Sequence, residues 1–229
     1  DDVQLIRVAA ANCPRTVVCI VTAGAVIMRE WLDEIPAVLL TWYSGMEGGH
    51  ALADILTGQH APSGRLPYSI AQDEADLPVL DIDARQITYD RWYGQRLLDK
   101  LGRPAEFPLG FGLSYTSFAL SELSAKVRAD GSIQVEMTAS NLGERAATHV
   151  VQLYGTRQDG DRAGERELLG FTTVDLAASE SLPVSLNVRP TPLRRWDGTG
   201  LWLPAGRVLV EAASYAGDPE AVSAEIQLA

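Results

Sequence analysis

The spacing of hydrophobic residues changes along the chain and divides it into parts of different character. Residues 17–28 and 37–45 are apolar runs between turn-forming residues, and such runs predict strands buried on both faces of a parallel sheet covered by helices. Residues 3–12 and 47–57 instead space their apolar side chains as amphipathic helices do. The pattern of residues 1–60 therefore predicts an α/β layer whose strands are joined by a right-handed crossover.

A period of two replaces these patterns after residue 117. Ile133, Val135 and Met137 alternate with polar residues, which places one face of a strand toward a core and the other toward water. About seven segments of this kind, at intervals of about ten residues, favour a two-sheet β-sandwich. The segments are FALSELSAKV, SIQVEMTASN, THVVQLYG, ELLGFTTVDL, LPVSLNV, GRVLVEAAS and VSAEIQL.

Residues 59–117 show little periodicity and are rich in Pro, Gly, Asp and aromatic residues. A long irregular segment in a compact domain is usually functional or fixed to another surface, and we expect its aromatic side chains to fix it. Near its end, in FPLGFGLSYTSF, Gly110 and Gly112 are expected to bend the backbone. The fold class that we predict is α/β followed by all-β.

Composition narrows the range of partners. The chain has 30 acidic and 19 basic residues and a net charge of -11, which repels phosphate backbones and anionic lipids. We therefore expect no nucleic-acid partner and no membrane partner. No apolar run approaches the ~18 residues that a membrane span needs, and the N-terminus lacks a basic region before an apolar one. Because the chain does not begin with methionine, we expect it to be part of a longer protein.

Metal-binding side chains are sparse. The two cysteines, Cys13 and Cys19, fit no common zinc spacing, and the three histidines are scattered at positions 50, 60 and 149. We expect both cysteines to be buried thiols in or near a core, and we expect no metal and no cofactor.

Several segments resemble one enzyme family. They are VVCIVTAGAVIM, TWYSGMEGGHALADILTGQHAPSGRLP, YDRWYGQRLLD, FPLGFGLSYTSF and ELLGFTTVDL, which together extend over nearly the whole chain. In these segments the chain resembles the C-terminal part of glycoside hydrolase family 3 enzymes, the β-glucosidase and β-xylosidase group. The resemblance implies the C-terminal part of an α/β sandwich domain at 1–75, a connecting loop at 76–117 and a fibronectin type III-like domain at 118–229.

The same resemblance implies where the catalytic groups lie. Retaining glycosidases need two carboxyl groups about 5–5.5 Å apart, one as nucleophile and one as general acid/base. In the family the nucleophile is an aspartate of an N-terminal barrel, and the acid/base is commonly a glutamate upstream of the strand that starts near Val17. Neither position is in this sequence, so we expect no catalytic residue here and no hydrolysis by this chain alone.

Glu47 is a candidate substrate-binding residue. It follows a predicted buried strand within a glycine-rich turn, at the end of the strand where open α/β sheets place ligand sites. The alternative interpretation is a helix N-terminal acid, stabilised by the free N–H groups of the first turn.

The segment YDRWYGQR (89–96) is the second candidate. Asp90 and Arg91 can form hydrogen bonds with sugar hydroxyls, and Trp92 can stack on the apolar face of a sugar ring. The alternative is that the aromatic residues fix a long connection to the surface and that the charged residues pair among themselves. The family usually has Tyr at the position of Gln95, so the resemblance is weaker within this loop.

Two tryptophans, Trp196 and Trp202, flank the turn DGTG in the predicted sandwich. We expect them to cover the core or a sheet edge, whereas an exposed pair would form a reasonable binding surface.

The sequence favours the C-terminal region of an exo-acting retaining β-glycosidase, most simply a β-glucosidase that removes terminal β-D-glucosyl residues. The expected partners are a β-linked glucoside or oligosaccharide and the N-terminal barrel region of the same enzyme, on the same or a separate chain. The alternative is a non-catalytic carbohydrate-binding or adhesion module built on the β-sandwich.

Overall fold

The computed structural model describes residues 2–229 and contains two compact units. One unit contains the described residues up to His60 together with Tyr68–Phe107. The other contains Ala61–Pro67 and Pro108–Ala229. The predicted order of an α/β part followed by an all-β part is confirmed. No described helix is long and apolar enough to cross a membrane.

The described residues of the first unit form three helices, two strands and short turns of 3-10 helix. Strands β1 and β2 pair in parallel, from Val17 opposite Ala37 to Ile20 opposite Leu40. The elements are α1 (Asp2–Asn12), β1 (Val17–Ile20), a 3-10 turn (Leu32–Glu34), β2 (Ala37–Leu40), α2 (Gly48–Leu56), a second 3-10 turn (Glu74–Asp76) and α3 (Gln95–Leu101).

The two strands are shorter and more exposed than the sequence predicts. The apolar run 17–28 is a strand only as far as Ile20, and along β1 exposed and half-buried residues alternate. The prediction of a strand buried on both faces is therefore wrong for the described residues, because a two-stranded sheet supplies too few neighbours to cover it. Cys13 and Cys19 are both exposed, which corrects the prediction of buried thiols.

A helix that the sequence did not predict lies inside the connecting loop. Helix α3 ends at Gly102, whose left-handed φ of 63° is readily adopted by glycine. The N–H of Arg103 donates to the carbonyl of Leu98 at 3.0 Å, and Leu98 is buried. Arg103 also forms an ion pair with Asp76, which ties the helix end to the preceding 3-10 turn. The prediction of an irregular connection is thus wrong at α3.

The second unit is a two-sheet β-sandwich. Its strands are β3 (Phe118–Val127), β4 (Ile133–Asn141), β5 (Ala147–Arg157), β6 (Arg166–Leu176), β7 (Ser181–Val188), β8 (Arg195–Trp196), β9 (Leu201–Trp202), β10 (Gly206–Ala213) and β11 (Val222–Leu228). One sheet has the order β11-β10-β5-β6 and the other β3-β4-β7, while β8 and β9 form a separate hairpin. All seven predicted strands are present. Alternating side chains from both sheets fill one core between them.

The segments 61–67 and 108–112, which carry much of the family resemblance, pair with each other in this unit. Leu66 N donates to Phe111 O at 2.9 Å, and Gly110 N donates to Leu66 O at 2.8 Å. A Cβ at Gly112 would lie 2.4 Å from the carbonyl oxygen of Gly64. Glycine at position 112 is therefore required by the close approach of two backbones.

Candidate functional site

The carboxyl ends of β1 and β2 lie side by side in the first unit. The backbone N–H of Thr41 donates to Ile20 O at 3.0 Å, and its hydroxyl donates to the same oxygen at 3.2 Å. These bonds hold the segments that follow both strands at one edge of the sheet. Open α/β sheets bind ligands at this edge.

The turn between β2 and α2 has an unusual backbone. Trp42 has a φ of 54°, which is rare for a bulky residue, and Gly45 has a φ of 69°. The Trp42 ring contacts the Tyr68 ring edge to face, with centroids 5.4 Å apart. Burial raises the pKa of the Tyr68 phenol. Residues held in such conformations are concentrated at functional sites, so Trp42 joins the candidates that sequence reasoning missed.

Glu47 directly precedes helix α2 in this turn. Its side chain makes no capping hydrogen bond to the helix; instead Oε2 lies 3.0 Å from Nδ1 of His50. Both side chains are open to solvent, with 77% of the Glu47 side chain exposed. The structure therefore places Glu47 at the start of the helix, as the alternative interpretation expects, but with its carboxylate directed to a histidine and accessible from outside.

The second candidate segment forms a local turn before α3. Asp90 Oδ1 accepts a hydrogen bond from the backbone N–H of Trp92 at 2.7 Å. Within residues 2–229 the other carboxylate oxygen of Asp90 has no hydrogen-bond partner, and Asp90 is exposed. One oxygen thus fixes the turn while the other remains accessible.

Two cations lie against the ring of Trp92. The guanidinium carbon of Arg91 is 4.4 Å from the ring centroid, and Nζ of Lys100 is 4.1 Å from it. Both distances are within the range of cation–π attraction. Lys100 lies on α3, so the helix missed by sequence reasoning supplies a contact to a candidate residue. The spacing of Leu97, Leu98 and Leu101 before Gly102 is the signal that could have indicated this helix.

The two candidate segments are not joined directly. Among residues 2–229, the Glu47 carboxylate forms its one side-chain hydrogen bond with His50, whereas Asp90, Arg91 and Trp92 form one continuous cluster. Within the same residues no group of three or more His, Cys, Asp or Glu side chains is arranged to hold a metal ion. What the cluster offers chemically is a carboxylate oxygen, a guanidinium and an aromatic ring, the groups that proteins use to bind polyhydroxylated ligands.

Comparison with known proteins agrees with this architecture. A family model described as the glycosyl hydrolase family 3 C-terminal domain matches residues 1–115. A second, described as a fibronectin type III-like domain, matches residues 149–214.

Individual relatives extend the agreement. The chain is 32% identical to beta-glucosidase BoGH3A of Bacteroides ovatus, covering 80% of this chain and 26% of that protein. It is also 32% identical to an exo-alpha-(1->6)-L-arabinopyranosidase of Bifidobacterium longum, covering 83% of this chain and 26% of that protein. The crystal structure of DesR, a beta-glucosidase from Streptomyces venezuelae in complex with D-glucose, superimposes with a TM-score of 0.86 at 32% identity over 100% of this chain and 30% of that one.

An α/β unit and a fibronectin type III-like sandwich, matched over their length by sugar hydrolases, define the C-terminal region of a glycosidase-like protein. The chain belongs to glycosyl hydrolase family 3 and corresponds to the C-terminal region of its β-glucosidase-like enzymes. It spans about a quarter of the length of the curated relatives that it matches, 26% in both proteins described above.

Proposed function

We propose that this chain is the C-terminal region of an exo-acting, retaining β-glucosidase that hydrolyses terminal β-D-glucosyl residues. The observation that carries the proposal is the match to proteins named beta-glucosidases over 80% or more of this chain but only 26% of their length. The remaining three quarters of such a protein has room for a catalytic barrel. The substrate is a β-linked glucoside or oligosaccharide.

The environment of Glu47 supports a catalytic centre outside this chain. A retaining mechanism needs two carboxyl groups about 5–5.5 Å apart. Glu47, the carboxylate at the ligand-binding edge of the sheet, is paired with His50 and not with a second carboxylate. We therefore propose that the 229-residue polypeptide is inactive when alone.

Exposed apolar side chains in the first unit support an additional covering layer. Leu5 and Val8 on α1 are exposed, as are Val17 on β1 and Val21 just after it. Fully burying one such side chain is worth about 1.5–3 kcal/mol, which favours coverage of this surface in the complete protein. The N-terminal barrel region of the same enzyme, on the same or a separate chain, is the partner that we propose.

We propose Asp90, Arg91, Trp92 and Glu47 as the residues of this chain that contact the substrate. The accessible oxygen of Asp90 and the guanidinium of Arg91 lie in one turn, beside the half-buried Trp92 ring. Glu47 lies at the carboxyl edge of the parallel strands, where α/β sheets bind ligands. The loop at 76–106 would then approach the leaving-group side of the glucoside.

The test compares two purified proteins on the same chromogenic substrate. The 229-residue chain and the full-length polypeptide that contains it are each assayed with 4-nitrophenyl β-D-glucoside. We expect turnover by the full-length protein and none by the isolated chain, whose mass is verified to exclude a bound partner. Turnover by the pure isolated chain would contradict the location of the catalytic groups.

The sugar specificity of the full-length protein is tested in the same assay with a panel of substrates. Because one relative is named an arabinopyranosidase, the panel includes 4-nitrophenyl α-L-arabinopyranoside besides the β-D-glucoside and β-D-xyloside. We expect the highest kcat/KM with the glucoside. A higher value with the arabinopyranoside would reject the glucosidase assignment and retain the glycosidase.

A further inference from the structure

The hairpin formed by β8 and β9 departs from the sequence prediction. The sequence predicts that Trp196 and Trp202 cover a core or a sheet edge, but they are 65% and 48% exposed. Neither belongs to the hydrophobic core of the sandwich. Leu201, the partner of Trp196 across the hairpin, is 58% exposed.

The register of the hairpin shows which side chains share a face. Trp196 pairs with Leu201, and Arg195 pairs with Trp202. Side chains of directly paired residues lie on the same face of a two-stranded ribbon, and successive residues alternate between faces. Because Arg195 is buried, its face is the inner one. Trp196 and Leu201 therefore form an outward apolar surface, here named the Trp196 ledge.

Polar contacts hold the hairpin in one shape. Asp197 Oδ1 accepts hydrogen bonds from Thr199 N at 2.8 Å, Thr199 Oγ1 at 2.7 Å and Gly200 N at 2.9 Å. Arg195 Nη1 donates to Asp161 Oδ2 at 2.8 Å, which ties β8 to the loop before β6. The ledge is thus a preorganised surface, and a ligand that binds to it pays little in lost backbone freedom.

The two charged side chains within the hairpin, Asp197 and Arg195, are already engaged, while Arg194, which precedes the hairpin, is exposed. The hydroxyl of Thr199 and the backbone N–H groups of the turn lower the pKa of Asp197, so its carboxylate stays ionised with its charge directed into the turn. Arg195 is paired with Asp161. The apolar surface therefore has no uncompensated charge from Asp197 or Arg195 to attract an ion, and the net charge of -11 repels polyanions. These features suit a neutral ligand.

A β-linked glucan fits this surface. In β-D-glucopyranose every ring substituent is equatorial, so the axial C–H groups form two flat apolar faces while the hydroxyls project around the rim. An indole ring packs against such a face and leaves the hydroxyls in water. An axial hydroxyl, as in galactose, interrupts one of the two faces.

We propose that the Trp196 ledge is a second, non-catalytic carbohydrate-binding site, which holds a neutral β-glucan chain on the β-sandwich. Trp196 stacks on a glucose ring and Leu201 widens the platform. The site is independent of the proposed hydrolysis, since it requires only the sandwich and no catalytic group.

Affinity gel electrophoresis of the full-length polypeptide tests the site. Native gels contain laminarin, barley β-glucan, galactomannan or no polymer, and retardation gives an apparent Kd. We expect retardation by the β-glucans and less by galactomannan. Trp196→Ala should raise the apparent Kd about tenfold or more, and Trp196→Phe, which retains a ring, should give an intermediate value. The matched control is Phe171→Ala, which removes an aromatic side chain that is also 65% exposed but lies on β6.

Each outcome decides the proposal. It is overturned if the wild type is not retarded by either β-glucan, or if Trp196→Ala and Phe171→Ala change the apparent Kd equally. It is also overturned if Trp196→Ala changes the oligomeric state in size-exclusion chromatography, since the ledge would then be a protein interface. Turnover of 4-nitrophenyl β-D-glucoside, measured in parallel, separates the two proposals: binding without turnover rejects the hydrolytic function alone.

Discussion

Gln152 holds the backbone of Gly110 against the four-stranded sheet. Its Nε2 donates to Gly110 O at 3.0 Å and also to the carbonyl of Ser214, while its Oε1 accepts from the Tyr154 hydroxyl at 2.7 Å. Gln152 and Tyr154 are both buried, so each of these bonds satisfies a group removed from water. The glycine-rich segment before the sandwich is therefore clamped by a buried amide.

The first prediction concerns Gly110→Ala. Gly110 has a φ of +84°, and a Cβ there would lie 1.9 Å from Oε1 of Gln152. Gly131 has a similar φ of +76°, but a Cβ there would meet nothing within 4 Å. Gly131→Ala should cost only the left-handed strain, about 1–2 kcal/mol, and Gly110→Ala should cost at least about 1 kcal/mol more because the buried clamp must move. Urea denaturation measures both, and equal losses would show that the clamp adapts freely.

The second prediction concerns Asn141, a buried amide at the end of β4. Its Nδ2 donates to Arg145 O at 2.7 Å and to Ala177 O at 2.9 Å. Its Oδ1 accepts from Thr116 Oγ1 at 2.6 Å and from Gly143 N at 3.1 Å. The amide thus joins segments far apart in sequence, and both of its polar atoms are used.

Asn141→Asp keeps the size and shape of the side chain. It replaces two donated hydrogen bonds with repulsion between a carboxylate and the carbonyl oxygens that accepted them. Loss of a buried partner costs about 1–3 kcal/mol per group and more for a charged group, so we expect at least about 3 kcal/mol of destabilisation at pH 7. The control, Asn187→Asp, makes the same chemical change at an exposed position of β7 and should change stability by no more than about 0.5 kcal/mol. Thermal unfolding of both variants compares them, and similar melting temperatures would contradict the role of Asn141.

The third prediction concerns the pH dependence of stability and His149. This residue is 1% exposed, stacks on Phe118 with centroids 4.4 Å apart, and has no hydrogen-bond partner for either ring nitrogen among residues 2–229. Burial, together with the charge of Arg65, lowers the pKa of His149 to about 4, against the opposing influence of Asp218. The imidazole is therefore neutral in the folded protein at pH 7.

Between pH 6.5 and about 4 the unfolded chain binds a proton at His149 that the folded chain does not. The free energy of unfolding therefore decreases as the pH falls through this window, by about 3 kcal/mol in total. His149→Leu removes this titration. Between pH 7 and pH 4.5 the free energy of unfolding of the variant should therefore fall by about 2–3 kcal/mol less than that of the wild type. Urea denaturation at both pH values gives this difference, and parallel pH profiles would refute the prediction.

The sandwich could be predicted from the sequence more fully than the α/β unit. Strand β3 has the predicted bounds, and in β4 the predicted alternation is observed, since Ile133, Val135 and Met137 are buried on one face. The apolar run after Ile20 does not form a strand, because apolar character predicts burial but carries no information about a backbone partner. In a unit whose sheet has two strands, that partner is missing for the described residues.

The candidate site could also be predicted from the sequence only in part. The chemistry of Asp90, Arg91 and Trp92 can be derived from adjacent residue types, since the three are consecutive. The approach of Lys100 to the Trp92 ring depends on helix α3, and the φ of Trp42 depends on how the turn closes against Tyr68. Both are tertiary features that no local pattern encodes.

The last prediction tests whether the Asp90–Trp92 turn contacts substrate. Arg91 and Lys100 lie against the Trp92 ring, so a sugar can stack on that ring only where these cations leave a face open. Asp90 and Arg91 are able to bind sugar hydroxyls directly. In the full-length enzyme, Asp90→Ala and Trp92→Ala should each raise KM for 4-nitrophenyl β-D-glucoside about tenfold, which corresponds to the loss of one charge-assisted hydrogen bond or ring contact. Tyr93→Ala is the matched control, because Tyr93 is an exposed aromatic residue of the same loop outside the proposed set. If Trp92→Ala instead lowers the melting temperature and leaves KM unchanged, Trp92 only supports the fold of the loop.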